Sequence, residues 1–321
     1  ALLLNHGVFL DLGSVDSEDI DLKPLSRAMD NWRWYTQTRA SQVRERVVDA
    51  EVVVSNKVVL DADTLRQADR LKLVIVAATG TNNVDLDAAR ELGVVVCNCR
   101  DYATDAVTQH TLAAILNLVT GQAFYRDRVR AGEWCQAPHF SLFDRPIRQV
   151  ADLNLGIIGY GVLGRSVAEH ARCLGMNILV AERRGQPPRG NRHVFENVVR
   201  HADVISIHCP LNAETEGLFN REIMSQMKPS AVLVNTARGG IVDERELADC
   251  LREGVIGGAA IDVLSTEPPP PDHPLLAADI PNLILTPHNA WASRRSRQAL
   301  IDQVLQLIHA FERDQVVNRV N

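Results

Sequence analysis

The 321-residue sequence lacks the features that mark several large classes of protein. No apolar run approaches the ~20 residues that cross a bilayer as a helix, so we expect no membrane span. The net charge is −6, whereas a surface for nucleic acid needs a basic face, so we expect no nucleic-acid partner. The chain does not open with a basic segment and an apolar core. We therefore expect no secretory signal peptide and a cytoplasmic protein.

Two further absences exclude kinds of chemistry. The six cysteines include no C-x-x-C pair, and no further Cys or His stands at the spacing that a zinc site requires. We therefore predict no metal site. The nucleophile elbow of a serine hydrolase requires the motif G-x-S-x-G, which does not occur, so this class of enzyme is excluded.

What the sequence does contain is an alternation of short apolar runs with amphipathic stretches. In the first hundred residues, three Val-rich runs are predicted as buried strands: Val52–Ser55, Leu73–Ala77 and Val94–Cys97. Asp61–Asp69 and Asp85–Gly93 are predicted as helices, because each opens with an aspartate suited to an N-cap. Alternating β and α units predict an α/β fold, in which a parallel sheet is covered on both faces.

A second β/α series begins at Asp152, after one or two predicted helices over Tyr102–Ala131 and a loop or arm from Gly132 to Val150. Its six predicted strands are Leu155–Ile158, Asn177–Ala181, Val204–His208, Ala231–Asn235, Ile256–Ile261 and Leu283–Thr286. The last stretch, Ala292–Arg313, is predicted as a long amphipathic helix.

A glycine-rich turn follows the first strand of the second series. Gly159, Gly161 and Gly164 form the pattern G-x-G-x-x-G between a predicted strand and a predicted helix, the context in which this motif binds a dinucleotide. Gly159 would permit the tight turn, Gly161 the approach of a pyrophosphate, and Gly164 close packing of helix on strand. A plain tight turn in an α/β domain is the alternative.

The neighbouring residues indicate which dinucleotide. The amides of Val162 and Leu163 would face the phosphates at the positive end of the helix dipole. Glu182 ends the next predicted strand, where a carboxylate accepts hydrogen bonds from the adenosine ribose and repels a 2′-phosphate. We therefore predict NAD. Arg183 and Arg184 follow directly and are able to pair with a 2′-phosphate, so NADP stays open.

Polar residues follow three later strands. Arg238, Glu267 and His288 all come after predicted strand ends, as does Asp262. Because the carboxyl ends of the strands line the ligand crevice of a doubly wound sheet, we expect these groups to gather on the cofactor side. The alternatives are a surface ion pair of Arg238 with Glu267 and an ordinary loop role for His288.

With these motifs the sequence resembles the D-isomer-specific 2-hydroxyacid dehydrogenase family over essentially its whole length. The matching segments, in order, are Gly159–Gly164, His208–Leu211, Asn235–Gly239, Glu267-Pro268 and Thr286–His288. Two others, Tyr102–Val107 and Asp144–Arg148, most resemble the glycerate dehydrogenase/hydroxypyruvate reductase branch.

The resemblance implies two doubly wound parallel-sheet domains, with a Rossmann cofactor domain inserted into a flavodoxin-like substrate domain. Residues 1–101 and 289–321 would form the substrate-binding domain, and residues 102–288 the NAD-binding domain. The active site would lie in the cleft between them, and the 102–150 region would build a homodimer interface.

The resemblance also implies site roles. Arg238, Glu267 and His288 would be catalytic, and the amides of Thr79 and Gly80 would bind the substrate together with Arg238 and His288. Asp262 would hold the nicotinamide carboxamide. Further cofactor contacts would come from His208, Pro210, Thr236 and Ala237.

The implied activity is hydride transfer between NAD(H) and a small 2-oxo acid or D-2-hydroxy acid, with hydroxypyruvate and glyoxylate as the leading substrates. His288 would act as the acid, Glu267 would favour its imidazolium form, and Arg238 would hold the carboxylate and polarise the carbonyl. An NAD(H)-sensing binding protein of the same fold, similar to co-repressors, is the alternative.

Two positions near the histidine have open roles in the sequence. Asn289 departs from the apolar residue usual in the family, and we expect it either to contact a ligand or to cap the following helix. Trp291 is expected either to wall the pocket or to pack under the last helix.

Overall fold

The computed structural model describes residues 3–321, which form two compact units. The first unit consists of the described part of Ala1–Ala103 together with Ala292–Asn321, and the second unit is Thr104–Trp291. No helix within residues 3–321 combines the length and the apolar character needed to span a membrane.

The first unit is built on a parallel sheet of five strands in the order β2-β1-β3-β4-β5. Its strands are β1 His6–Phe9, β2 Asn31–Trp34, β3 Val52–Ser55, β4 Leu73–Val76 and β5 Val95–Asn98. Its helices are α1 Lys23–Ser26, α2 Val43–Val47, α3 Ala62–Gln67, α4 Leu86–Glu91 and, near the chain end, α11 Arg294–Glu312. The strand order is that of a flavodoxin-like sheet, as the resemblance implies.

Local sequence accounts for most of this unit. The predicted strands are confirmed as β3, β4 and β5, whose residues are nearly all buried. The predicted caps are confirmed too, because the side chain of Asp61 accepts a hydrogen bond from Thr64 N, and that of Asp85 accepts one from Ala88 N. Strands β1 and β2 were not predicted from the sequence.

The second unit is built on a parallel sheet of six strands in the order β11-β10-β9-β8-β6-β7. Its strands are β6 Asn154–Ile158, β7 Asn177–Ala181, β8 Val204–Ile207, β9 Val232–Asn235, β10 Gly258–Ile261 and β11 Leu283–Leu285. Its helices are α5 Thr104–Thr120, α6 Gln122–Arg130, α7 Val162–Cys173, α8 Phe195–His201, α9 Arg221–Met224 and α10 Glu244–Arg252. Helices α5 and α6 are separate because Gly121 between them adopts a φ of 67°.

The order of the second sheet locates its ligand crevice. Strand β6 pairs with β7 on one side and with β8 on the other, so the chain changes direction across the sheet beside β6. A single parallel bridge between Ala181 and His193 extends the sheet beyond β7, where a Rossmann fold has a further strand. Ligands of open α/β sheets bind at such a switch point, at the carboxyl ends of the strands. The predicted site residues of this unit follow these ends.

Candidate active site

The glycine turn between β6 and α7 is tightly built around two of its three glycines. Gly159 has a φ of 93°, and a Cβ on it would lie 2.5 Å from Cys209 N. A Cβ on Gly164 would lie 2.1 Å from Gly159 O. Gly161, the N-cap of α7, has no atom within 4 Å of its Cβ position. The turn therefore needs Gly159 and Gly164 for its own packing and leaves open space at Gly161.

The acidic residue at the end of β7 is already ion-paired. Both oxygens of the Glu182 carboxylate accept hydrogen bonds from Arg189, at 2.8 Å each, and Arg192 Nη1 lies 3.3 Å from Oε1. Arg184, one of the two arginines expected beside a 2′-phosphate, instead lies 3.7 Å from Glu196 and 3.8 Å from Glu222. The side chains that pair with Glu182 are thus those of Arg189 and Arg192, and not those of the two arginines that directly follow it.

His208 lies beside the glycine turn, since Gly159 packs against the backbone of His208 and Cys209. Its Nε2 lies 2.8 Å from Ser206 Oγ, whereas its Nδ1 is buried and has no hydrogen-bond partner in the part of the chain that the structure describes. Burial lowers the pKa of His208 to about 4. The ring is therefore neutral near pH 7, and Nδ1 offers a polar atom to a bound group.

This histidine makes stability pH-dependent. Because its folded-state pKa lies below the value in the unfolded chain, the unfolded chain binds the proton more readily, and stability falls as the pH falls from about 6.5 toward 4. We expect the loss of unfolding free energy between pH 7 and pH 5 to be about 2 kcal/mol smaller in His208→Gln than in the unsubstituted chain. Urea denaturation at both pH values measures this difference. His201→Gln, at an exposed position, is the control, and equal losses in all three proteins would contradict the prediction.

The turn after β9 presents Arg238. Asn235 holds this turn, because its side chain donates to Arg238 O at 2.9 Å and accepts from Ala237 N at 3.0 Å. A Cβ on Gly239 would lie 2.0 Å from Leu264 C, so only glycine allows the turn to pack on the segment after β10. The Arg238 turn thus lies against the segment that leads to Glu267. The guanidinium is exposed, and Nη1 donates to Ala237 O at 2.7 Å.

Glu267 and His288 form a direct pair. Glu267 Oε2 lies 2.6 Å from His288 Nδ1, and its Oε1 accepts a hydrogen bond from Leu264 N at 2.8 Å. The side chains are about one-third exposed, at 30% for His288 and 34% for Glu267. His288 Nε2 has no hydrogen-bond partner within residues 3–321. One ring nitrogen is therefore held by a carboxylate, and the other is available for proton transfer.

The backbone of His288 is held in an uncommon conformation. Its φ is 50°, in the left-handed region that most side chains avoid. Its amide donates to Asp262 O at 2.8 Å and to Thr286 O at 3.0 Å, and Trp291 Nε1 donates to His288 O at 3.0 Å. Such conformations persist only where the surroundings hold them, and they concentrate at functional sites.

Asp262, expected at the nicotinamide, is buried and engaged within the protein. Its Oδ1 accepts from Thr286 Oγ1 at 2.6 Å and from Asn289 N at 3.1 Å, and its Oδ2 accepts from Ala290 N at 3.0 Å. The carboxylate therefore holds the turn that carries His288. Asn289 is exposed, and Ser293 is the N-cap of α11, so of the two roles expected for Asn289 the helix cap is wrong.

A second cluster, missed in the sequence, holds the Glu267 segment from the other side. Glu244, at the start of α10, accepts hydrogen bonds from Ser265 N at 2.6 Å and from Ser265 Oγ at 2.8 Å. It also lies 2.8 Å from His273 Nε2, while His273 Nδ1 accepts from Leu275 N at 3.2 Å. No local pattern predicts these contacts, because they join an ordinary first-turn glutamate to a loop 21 to 29 residues away.

The remaining predicted residues are placed as follows. Thr236 is buried, and its Oγ1 lies 3.2 Å from Thr111 Oγ1 of α5; Ala237 beside it is buried as well. Pro210 is exposed, and its carbonyl accepts from Thr215 Oγ1. In the first unit, Thr79 and Gly80 follow β4, and Thr79 O accepts from Asn98 Nδ2 at 2.7 Å. Their substrate-binding role stays a prediction.

The second unit fits a bound dinucleotide. Free space at Gly161, the unpaired Nδ1 of His208 and the open N-terminus of α7 lie at the carboxyl ends of β6 and β8, beside the switch point. Side chains that can bind a carboxylate and exchange a proton follow strands of the same sheet; they are Arg238 and the Glu267–His288 pair.

Comparison with known proteins agrees with this geometry. Residues 112–290 match the NAD binding domain of the D-isomer specific 2-hydroxyacid dehydrogenases. The chain is 40% identical to a glycerate dehydrogenase of Methylorubrum extorquens, over 95% of each chain. It is 34% identical to a hydroxypyruvate reductase of Blautia hydrogenotrophica, over 98% of this chain and 99% of the relative. A crystal structure of a Thermus thermophilus protein superimposes with a TM-score of 0.85 at 30% identity, covering 98% of this chain and 99% of that one. The chain therefore belongs to the D-isomer specific 2-hydroxyacid dehydrogenase family and is an NAD-dependent oxidoreductase of 2-oxo and D-2-hydroxy acids.

Proposed function

We propose that this enzyme reduces small 2-oxo acids, hydroxypyruvate and glyoxylate first among them, and oxidises the corresponding D-2-hydroxy acids. The observation that carries the proposal is the Glu267–His288 pair, with one ring nitrogen held at 2.6 Å and the other unpaired, after strands of the sheet that also presents Arg238. The choice of small substrates is supported by two relatives, named glycerate dehydrogenase and hydroxypyruvate reductase, that match nearly the whole chain.

The proposed division of labour follows from the chemistry of the three side chains. When bound, NAD(H) supplies or accepts the hydride at C2. Arg238 cannot lose its proton, so its planar fork grips the substrate carboxylate and polarises the C2 carbonyl in both directions. His288 donates a proton to the carbonyl oxygen during reduction and removes it during oxidation. Glu267 orients the imidazole, since it binds Nδ1 directly.

The test is a substrate panel. The full chain is assayed by loss of NADH absorbance with hydroxypyruvate, glyoxylate, pyruvate and bulkier 2-oxo acids, and NADH binding is measured separately by fluorescence. We expect turnover of the small acids with the highest kcat/KM for hydroxypyruvate or glyoxylate. Tight NADH binding without turnover of any acid would instead favour a nucleotide-sensing protein.

We also propose that Gly161 is where the cofactor pyrophosphate approaches the backbone, as the open space around it suggests. Gly161→Ala is expected to keep the thermal midpoint and to raise the Kd for NADH about tenfold or more, because its φ of −82° suits alanine while the methyl group occupies the phosphate position. Gly164→Ala is the contrasting variant: it is expected to lower the unfolding free energy by about 1–3 kcal/mol, since its Cβ meets Gly159 O. Unchanged NADH binding in Gly161→Ala would refute the assignment.

The oligomeric state is a further proposal: a homodimer formed through the arm, the segment from Gly132 to Val150. Large apolar side chains of the arm are exposed in the single chain, Phe140 at 89% and Phe143 at 75%. Exposed apolar groups clustered in this way mark interaction surfaces. Sedimentation equilibrium is expected to give twice the mass of one chain, and a monomer at micromolar concentration would overturn the proposal.

A further inference from the structure

The loop after β7 carries an unusual concentration of positive charge around one buried acid. Four arginines follow Glu182 within the next ten residues: Arg183, Arg184, Arg189 and Arg192. The Glu182 side chain is 0% exposed, and hydrogen bonds from Arg189 lower its pKa to about 2. The acid is therefore ionised near neutral pH, yet its side chain is not open to solvent.

The carboxylate has little capacity left for a ligand. Oε1 receives three donors: Arg189 Nη2 at 2.8 Å, Arg183 N at 3.0 Å and Arg192 Nη1 at 3.3 Å. Oε2 receives Arg189 Nε at 2.8 Å. A carboxylate offers about four acceptor positions, so the two hydroxyls of an adenosine ribose cannot both be accommodated while Arg189 stays. The guanidinium of Arg189 thus competes with the ribose hydroxyls for the Glu182 carboxylate.

The net charge around Glu182, at the end of β7, is also positive rather than negative. Arg189 and Arg192 together outweigh the single negative charge of Glu182, while Arg184 is turned toward Glu196 and Glu222. The repulsion that an acid at this position exerts on a 2′-phosphate is therefore cancelled. Arg189 is able to move because its side chain is 68% exposed, and a planar guanidinium suits a phosphate as well as a carboxylate.

We propose that Arg189 is a specificity-determining residue that lets this enzyme bind NADPH as well as NADH. Paired with Glu182, Arg189 keeps the carboxylate away from the ribose of NADH; released from it, Arg189 binds the 2′-phosphate of NADPH. The inference rests on the proposed dinucleotide site and concerns only which dinucleotides it admits.

The test is a pair of fluorescence titrations, with NADH and with NADPH, on the full chain and its variants. In Arg189→Ala we expect the Kd for NADPH to rise about tenfold to hundredfold, since a charge-assisted contact to the phosphate is lost. The Kd for NADH is expected to fall by up to about fivefold, because the exposed guanidinium of Arg189 no longer competes for Glu182. In the unsubstituted chain, NADPH binding is expected to weaken more steeply with added salt than NADH binding.

Arg200→Ala is the matched control, an exposed arginine on α8 of the same unit with no role in the proposed site, and it is expected to leave the ratio of the two Kd values unchanged. Arg189→Lys is the second variant; it keeps the charge without the fork and is expected to bind NADPH with intermediate affinity. Equal changes in both Kd values, or none, in Arg189→Ala would overturn the inference while leaving the NAD(H) function intact. An unsubstituted chain that binds NADH but not NADPH would overturn it as well. Failure to bind either dinucleotide would overturn both the proposed function and the inference.

Discussion

Replacing His288 by alanine is expected to lower kcat/KM for 2-oxo acid reduction by about 10²- to 10⁴-fold, the usual contribution of a positioned general acid. Glu267 holds Nδ1 of the ring at 2.6 Å, which leaves Nε2 to exchange the proton with the substrate oxygen. Alanine removes the proton donor together with its contact to Glu267. Steady-state rates with hydroxypyruvate and NADH measure the loss.

Two controls separate chemistry from folding and from cofactor binding. The thermal midpoint and the Kd for NADH of His288→Ala are expected to stay near those of the unsubstituted chain, because the predicted cofactor contacts lie on other turns of the sheet. His201→Ala, at an exposed position at the end of α8, is expected to keep full activity. If His288→Ala retained more than about a tenth of the activity, the acid would have to be sought elsewhere.

Arg238→Lys is expected to lower kcat/KM by about 10²- to 10³-fold although it keeps the positive charge. One donor of the guanidinium binds Ala237 O, and the remaining donors of the planar fork are left for the substrate. A lysine ammonium cannot bind the carboxylate in two places and polarise the carbonyl at the same time. We expect a higher KM for the 2-oxo acid together with a lower kcat.

Arg245→Lys is the matched control, since Arg245 is exposed on α10 in the same unit and has no role in the proposed site. It is expected to leave both kinetic constants unchanged. Near-normal turnover in Arg238→Lys would remove Arg238 from the reacting centre. Measuring the Kd for NADH in Arg238→Lys shows whether a loss of activity arises from weaker cofactor binding instead.

The sequence predicted those parts of the molecule in which only one kind of residue suits the local backbone conformation or packing. Gly159 and Gly164 are such cases, because the left-handed φ of the first and the 2.1 Å approach at the second leave no room for a side chain. Asp61 and Asp85 are others, since an aspartate before an amphipathic stretch satisfies free helix amides. Strands β1 and β2 were not predicted, and β2 is an edge strand of the sheet with no fully buried residue.

Contacts between loops were beyond the reach of local sequence rules. Three sets of contacts depend on how irregular segments fold back on one another. They are the pairing of Glu182 with Arg189, the hydrogen bonds of Asp262 to the His288 turn, and those of Glu244 to the Glu267 segment. Each of these acids looked in the sequence like a ligand contact or an ordinary helix residue. Irregular segments have no period, so their partners do not follow from spacing.

By itself the sequence predicted the α/β fold and the dinucleotide turn, and it placed Arg238, Glu267 and His288 after strand ends, which meet at one edge of a parallel sheet. The catalytic roles of these three residues stay predictions. Only the tertiary structure decided how these groups are held: the 2.6 Å contact of Glu267 with His288, the left-handed backbone of the histidine and the arginines that cover Glu182. The physical reason is that hydrogen bonds depend on distance and angle within tenths of an ångström, and loops acquire that precision only once the surrounding elements have packed.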